Sequence, residues 1–258
     1  MSQKKIGLAL SGGGARGFAH VGVLKALVEN NIPISHVAGT SVGSIVGAAF
    51  AAGMSIGEIT AMSRRVSWQT IVRPSLSPTG ILSSAPMARF LKRELPVENF
   101  EELKIPYAVV ACDFASGQAS VFKDSGDLIF AVRASCALPG VFAPLKNNSG
   151  KVFVDGGVVS QIPVEAVREM GADVVIAVDL IGCGATFRAN PRTALGVLIQ
   201  SAMTMLRRAS RAQCELADLV ITPQIAHIRP DRLRDRDECL RLGEEAALAE
   251  IDRIKKLI

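Results

Sequence analysis

Three short stretches of this 258-residue chain carry residue types that could act together on a substrate. The first is Gly39-Thr40-Ser41-Val42-Gly43, a serine bracketed by glycines two positions away on either side. Where a strand runs into a helix, such glycines let the backbone turn sharply. The serine hydroxyl then projects above the sheet edge, at the positive end of a helix dipole. A serine so placed could attack an acyl carbon; the same pattern also fits a serine in a glycine-rich linker. The second stretch is Ser11-Gly12-Gly13-Gly14-Ala15-Arg16-Gly17. Successive glycines ahead of a helix expose N–H groups with no side chain in the way. That suits a phosphate cradle or an oxyanion hole for a tetrahedral intermediate. A P-loop would need Lys-Ser or Lys-Thr after the glycines, and neither follows. Gly12, Gly14 and Gly17 do match the dinucleotide-binding spacing. The acidic residue that should follow about twenty positions later is replaced by Gly39-Thr40-Ser41. The third stretch is Asp155-Gly156-Gly157, a carboxylate closing an apolar run. The C-terminal ends of strands are where open α/β sheets place their sites. This Asp could accept a proton there, or simply cap a turn.

The elements around these stretches alternate. Ile6–Leu10 reads as a strand, the glycine loop follows, and Phe18, Val21, Leu24 and Val28 then recur at helical spacing. Ile34–Gly39 reads as a second strand. Ser41–Ala52 reads as a second helix, stopped by Gly53. Its Gly43, Gly47, Ala48, Ala51 and Ala52 allow close packing on a sheet. Ser55 and Glu58 are spaced as a capping box. Ser67–Pro96 carries prolines, serines and the single Trp, and reads as an irregular excursion with one helix near its end. Strands return at Tyr107–Asp113, Ala119–Lys123, Lys151–Gly157 and Asp173–Leu180, with short helices between several of them. A long helix over Asn190–Asp218, a last strand at Leu219–Pro223 and a terminal helix over Asp237–Ile258 complete the pattern. Such alternation predicts an α/β fold with a mainly parallel central sheet covered on both faces, a three-layer α/β/α sandwich. One domain over residues 1–258 accounts for the whole length, with residues 67–96 as an insertion in it.

Composition narrows the function. Hydrophobic residues at 49% and charged residues at 21% are those of a globular chain. A net charge of +5 suits an anionic membrane surface or an acidic ligand, and equally a plain solvated surface. Aromatics at 5% make a stacking platform for nucleic acid the wrong reading, so no nucleic-acid partner is expected. Cys112, Cys136, Cys183, Cys214 and Cys239 are odd in number, widely spaced and contain no C-x-x-C pair. That pattern fits reduced thiols in a cytoplasmic protein, not a disulfide framework or a zinc site. The first apolar run is too short for a signal segment and no run is long enough to span a bilayer, so membrane contact would be peripheral.

Together, GGGARG at Gly12–Gly17, GTSVG at Gly39–Gly43 and DGG at Asp155–Gly157, in that order, resemble the patatin-like phospholipases. The similarity is to a bacterial single-domain form akin to the catalytic domain of neuropathy target esterase. ASCALPGVFAPL at Ala134–Leu145 and GADVVIAVDL at Gly171–Leu180 also look familial, so the resemblance covers nearly the whole chain. The central excursion matches least. The resemblance implies a hydrolase of lipid acyl esters, of phospholipase, lysophospholipase or esterase type, with no metal and no cofactor. It implies Ser41 as nucleophile, Asp155 as its base and the N–H groups of Gly12, Gly13 and Gly14 as the oxyanion hole. The physical logic agrees. A serine hydroxyl needs a proton acceptor in reach, and a partly desolvated carboxylate has its pKa raised toward the working range. The head group, chain length and oligomeric state are left open.

Two rival readings stand beside it. Ser41, Asp155 and His227 follow the chain order of an α/β-hydrolase triad. Alternatively, a non-catalytic or regulatory protein of the same fold would hold an anionic ligand in the glycine loop. His20 and His36 read as packing residues, Asp113 and Asp179 as turn residues, and Cys136 as a small core residue. Arg16 could orient the glycine loop, touch a phosphate head group or bind backbone carbonyls. The apolar side chains of the excursion, Trp68, Ile71, Val72, Ile81, Leu82, Met87 and Phe90, fit a lid over Ser41 or a plain surface loop. In the terminal helix, Leu240, Ala247, Ile251, Ile254 and Ile258 fit a docked helix, or with Arg253, Lys255 and Lys256 a basic membrane foot.

Overall fold

The computed structural model describes residues 4–182 and 194–258. In chain order the strands are β1 (Ile6–Leu10), β2 (Ile34–Thr40), β3 (Arg73–Pro74), β4 (Gly80–Ser83), β5 (Tyr107–Asp113), β6 (Gln118–Lys123), β7 (Gly140–Phe142), β8 (Leu145–Lys146), β9 (Val152–Asp155), β10 (Val174–Val178) and β11 (Leu219–Ile221). The helices are α1 (Phe18–Glu29), α2 (Val42–Ala51), α3 (Ile56–Arg65), α4 (Trp68–Ile71), α5 (Ala85–Glu94), α6 (Leu128–Ser135), α7 (Val164–Glu169), α8 (Ala194–Cys214), α9 (Arg236–Leu248) and α10 (Ile251–Leu257).

The main sheet runs β11-β10-β1-β2-β5-β9-β8, with β6 also paired to β5. The pairings β11-β10, β10-β1, β1-β2 and β2-β5 are parallel. A parallel strand covered on both faces must be apolar throughout, and β1 (IGLAL) and β10 (VVIAV) are buried at every position. Their alternation feeds two cores. Leu8, Leu10, Ile176 and Val178 join the larger core with α1, α2 and α9. Ala9, Ala38, Ala108, Val175 and Ala177 face the other way, against Val164, Ala166 and Val167 of α7. The α/β architecture with a mainly parallel sheet between helices is therefore as the sequence predicts.

Three features differ from the sequence reading. β6, β8 and β9 pair antiparallel at one end of the sheet. The excursion is not irregular: β3, β4 and the distant β7 form a second, three-stranded sheet. Its strands are two to four residues long and its third member comes from elsewhere in the chain, so no local period announces it. The terminal helix is two helices. α9 buries Cys239, Gly243 and Ala247 along α1, and α10 buries Ile251 and Ile254 after a break at Ala249 and Glu250. Both helices are docked on the domain. The long helix spans Ala194–Cys214, and the expected start at residues 190–193 and Cys183 lie outside the described residues. Cys112, Cys136, Cys214 and Cys239 are free thiols. No described helix is long and apolar enough to cross a membrane.

Sheet register decides what meets at the C-terminal edge. β2 runs parallel along β5 until Thr40 stands opposite Val110. β9 then takes over the same edge of β5 in the opposite direction, with Asp155 opposite Ala111. The two strands end head to head, and the residue after Thr40 is Ser41.

Candidate active site

Ser41 sits at the turn between β2 and α2 with φ 52° and ψ −127°. A non-glycine residue with positive φ carries backbone strain, and neighbouring structure must hold it. The Ser41 N–H donates to Ser135 Oγ at 2.8 Å, and Ser135 Oγ–H donates to the Val110 carbonyl at 2.6 Å. The Ser41 carbonyl accepts from Ser44 N at 2.8 Å and from Ser44 Oγ at 2.6 Å. Gly43 is required by close approach: a Cβ there would lie 2.3 Å from the Leu10 carbonyl oxygen.

Ser41 Oγ–H donates to Asp155 Oδ2 at 2.7 Å. The other carboxylate oxygen, Oδ1, accepts the Gly157 N–H, also at 2.7 Å. Asp155 is 5% exposed, and burial pushes its pKa up to about 6 against the two hydrogen bonds, which favour the charged form. The capping role and the pairing with Ser41 are thus divided between the two oxygens of one carboxylate.

The glycine loop lies beside this pair. Gly12 N–H donates to the Gln161 carbonyl at 3.1 Å. No protein acceptor stands against the Gly13 and Gly14 amides among the described residues. His20 Nε2–H donates to the Ser11 carbonyl at 2.8 Å just upstream, and burial lowers the His20 pKa to about 4, so the ring is neutral. Arg16 is buried and points away from the site. Its guanidinium donates to the carbonyls of Ile228 at 2.7 Å, Ala226 at 3.3 Å and Leu180 at 3.4 Å. These contacts are the backbone-carbonyl option among those open to it, and through Ala226 and Ile228 they tie the glycine loop to the segment after β11.

His227 is exposed and pairs with Glu238 at 2.9 Å. It is not among the residues lining the Ser41 cavity, and the structure does not bring it to Ser41 or Asp155. Asp113 accepts the N–H groups of Ala115 and Ser116, and Asp179 those of Ile181 and Gly182, as turn residues do. His36 is buried on β2 against Ser35. Among the described residues, no group of three or more His, Cys, Asp or Glu is placed to hold a metal ion.

Ser41, Asp155 and the glycine loop open onto a cavity of about 450 Å3. Its walls are apolar: Val42, Ile45 and Val46 of α2, Ile59 and Met62 of α3, Trp68, Ile71, Leu82, Met87 and Phe90 of the excursion, and Leu138, Val141 and Phe142. Such a hollow accepts hydrocarbon. Two neighbours of Ser41 escaped the sequence reading. Ser135 was hidden in a run of small residues, and Gln161 six positions after Asp155 is a buried polar side chain in an apolar segment, which was the available signal.

Fold and site together define an α/β protein with a serine–carboxylate pair at the end of its parallel strands, beside a glycine-rich loop. Residues 8–168 match the family model of the patatin-like phospholipases, and the chain belongs to that family. It is 39% identical over 184 residues to an NTE family protein of Mycobacterium tuberculosis, covering 70% of this chain and 50% of that protein. It is 37% identical over 184 residues to patatin-like phospholipase domain-containing protein 6 of Homo sapiens, covering 68% of this chain and 13% of that protein. The chain thus spans half the length, or less, of these curated relatives. Among solved structures it resembles VipD from Legionella pneumophila, with a TM-score of 0.64, 15% identity, and coverage of 98% of this chain and 67% of that one. At that identity the likeness speaks for the fold.

Proposed function

We propose that this chain is a serine hydrolase of lipid acyl esters that works through Ser41 and Asp155 without a metal. The observation that carries the reading is the 2.7 Å hydrogen bond from Ser41 Oγ to a buried Asp155 carboxylate, at the head of an apolar cavity. With its pKa raised to about 6, Asp155 is ionised at neutral pH yet more basic than an ordinary carboxylate. Ser41 Oγ attacks the acyl carbon while its proton passes to Asp155 Oδ2. The carbonyl electron pair moves to oxygen, and the free amides of the glycine loop receive that oxyanion. Collapse breaks the bond to the leaving alcohol, whose oxygen takes the proton from Asp155. Water attacks the acyl-enzyme in turn, again losing its proton to Asp155; the bond from the acyl carbon to Ser41 Oγ then breaks, Oγ takes the proton back from Asp155, and the fatty acid leaves.

The apolar cavity holds the acyl chain. The excursion supplies one wall of it and exposes Leu76 and Ile81, which do not line the cavity. We read this segment as the part that meets a lipid surface peripherally and governs access to Ser41. Labelling of purified protein with a fluorophosphonate tests the reading. Wild type and His227→Ala should label; Ser41→Ala should not, and Asp155→Asn should label far more slowly. Labelling that survives Ser41→Ala, or that vanishes in a folded His227→Ala, would overturn it.

A further inference from the structure

Gln161 is a buried side chain that the serine–aspartate pair does not use. It is 3% exposed, lines the Ser41 cavity, and its Nε2 finds no hydrogen-bond partner among the described residues. A buried donor left unpaired destabilises the fold, so its place beside a nucleophile calls for a reason.

The surroundings supply one. The main chain that carries Gln161 is fixed at every residue. The Val159 carbonyl accepts from Gln213 Nε2 at 3.2 Å, and the Ser160 carbonyl from Thr40 Oγ1 at 2.8 Å. The Gln161 carbonyl accepts the Gly12 N–H at 3.1 Å, and the Ile162 N–H donates to Gln213 Oε1 at 2.9 Å. The carboxamide Nε2 of Gln161, by contrast, is left without a partner among the described residues. The carboxamide lies against the bare Cα of Gly12. The point where a Cβ on Gly12 would sit is 2.9 Å from Gln161 Nε2, 3.1 Å from its Oε1 and 3.2 Å from Ser41 Cβ. The carboxamide and the Ser41 side chain thus border the same space beside the Gly12 Cα. Meanwhile the Gly12 amide is turned away from that space, engaged with the Gln161 carbonyl.

We propose that the Gln161 carboxamide is an oxyanion donor, standing where the Gly12 amide cannot and completing the set begun by the Gly13 and Gly14 amides. The proposal rests on the serine hydrolase reading above. A buried donor on a fixed main chain, with no ground-state partner among the described residues, is suited to charge that appears only in the transition state. Such a donor contributes most to rate, because nothing must be broken before it acts. The absence of a side chain at Gly12 leaves room for the carboxamide to approach.

The test compares wild type with Gln161→Met, which keeps length without a donor, and Gln161→Asn, which keeps the carboxamide on a shorter stem. Each is assayed for hydrolysis of a soluble short-chain ester, for melting temperature, and for inhibition by a trifluoromethyl ketone, whose adduct with Ser41 carries the oxyanion. Gln161→Met should lower kcat by about 10²-fold, the effect of removing one oxyanion donor, with KM unchanged. Its affinity for the ketone should fall in step. Gln161→Asn should recover part of both. A folded Gln161→Met with wild-type kcat and ketone affinity would overturn the proposal, as would loss of kcat without loss of ketone affinity. If Gln161→Met does not fold, Gln161→Asn decides: kcat and ketone affinity must drop together at unchanged KM, and unchanged values overturn the proposal. Ser41→Ala and wild type run alongside. An inactive wild type would count against the hydrolase reading itself, whereas an active one with indifferent Gln161 variants would count against this inference alone.

Discussion

The Ser41 end of the main sheet and the Ser67–Pro96 excursion wall the same cavity, yet they are built in opposite ways. Around Ser41 the hydroxyl, the N–H and the carbonyl all have buried partners, and the turn holds a strained φ of 52°. The excursion has two strands of two and four residues, and its loop hydrogen bonds run among Ser75, Ser77 and Thr79 of the same segment. Leu76 at its tip is fully exposed and Ile81 is 63% exposed. Its second half is anchored in the core by the buried Met87, Phe90 and Leu91 of α5, whereas its first half packs only the partly buried Ile71 and Val72 against core side chains. Chemistry needs fixed geometry and tolerates the strain that secures it. A surface that meets substrate needs exposed apolar area, which adds nothing to the folded chain in water. The two regions should therefore fail differently when altered.

The sharpest way to break that contrast is at the serine. Ser41→Ala should reduce ester hydrolysis to the uncatalysed level and abolish fluorophosphonate labelling, with no loss of melting temperature. An active Ser41→Ala would move the chemistry elsewhere. Asp155→Asn should cost about 10²- to 10⁴-fold in kcat, the range for a lost general base. Its stability should move the other way. Burial raises the Asp155 pKa from 3.8 to about 6, so folding favours the protonated form. That preference stabilises the fold fully below pH 3.8 and fades as pH rises through about 6. The uncharged Asp155→Asn should therefore melt above wild type at pH 7 and close to it near pH 4. In wild type, kcat/KM should fall about tenfold per unit as pH drops below about 6, because the carboxylate takes up the proton it needs to accept. A flat profile between pH 5 and pH 7 would argue against Asp155 as the base.

Ser135 probes how tightly the turn must be held. Its hydroxyl links the strained Ser41 N–H to β5. Ser135→Ala leaves Ser41 and Asp155 intact but frees the turn. Misplacement of a reacting group on the scale of 1 Å costs up to about 10²-fold, so kcat should fall by that order with a small change in melting temperature. A Ser135→Ala enzyme as fast as wild type would show that α2 and Ser44 fix the turn unaided.

The same contrast decides what was legible in the sequence. The apolar runs of β1 and β10, the capping box of Ser55 and Glu58, and the glycines around Ser41 are local signals with local causes, and each stands where the sequence places it. The antiparallel β9, the β3-β4-β7 sheet and the partnership of Ser135 with Ser41 depend on residues far apart in the chain. No period or motif encodes those pairings. The glycine loop shows the limit most clearly. Its composition announces exposed N–H groups, but only the fold reveals that the Gly12 amide is taken by the Gln161 carbonyl.

The smallest effect, and the most selective, belongs to the excursion. Full burial of a Leu or Ile side chain in an apolar medium is worth about 1.5–3 kcal/mol. Leu76 and Ile81 make no such burial in the folded chain, so a lipid surface is where their apolar area would count. The double variant Leu76→Ser with Ile81→Ser should keep the wild-type melting temperature and the wild-type rate on a soluble short-chain ester. On phospholipid vesicles it should be slower by roughly tenfold, since each 1.4 kcal/mol of lost interfacial binding is a factor of ten. Equal rates on both substrates would make the excursion a plain cavity wall. Equal losses on both would instead tie its tip to the geometry at Ser41, and the division of labour between the two regions would not stand.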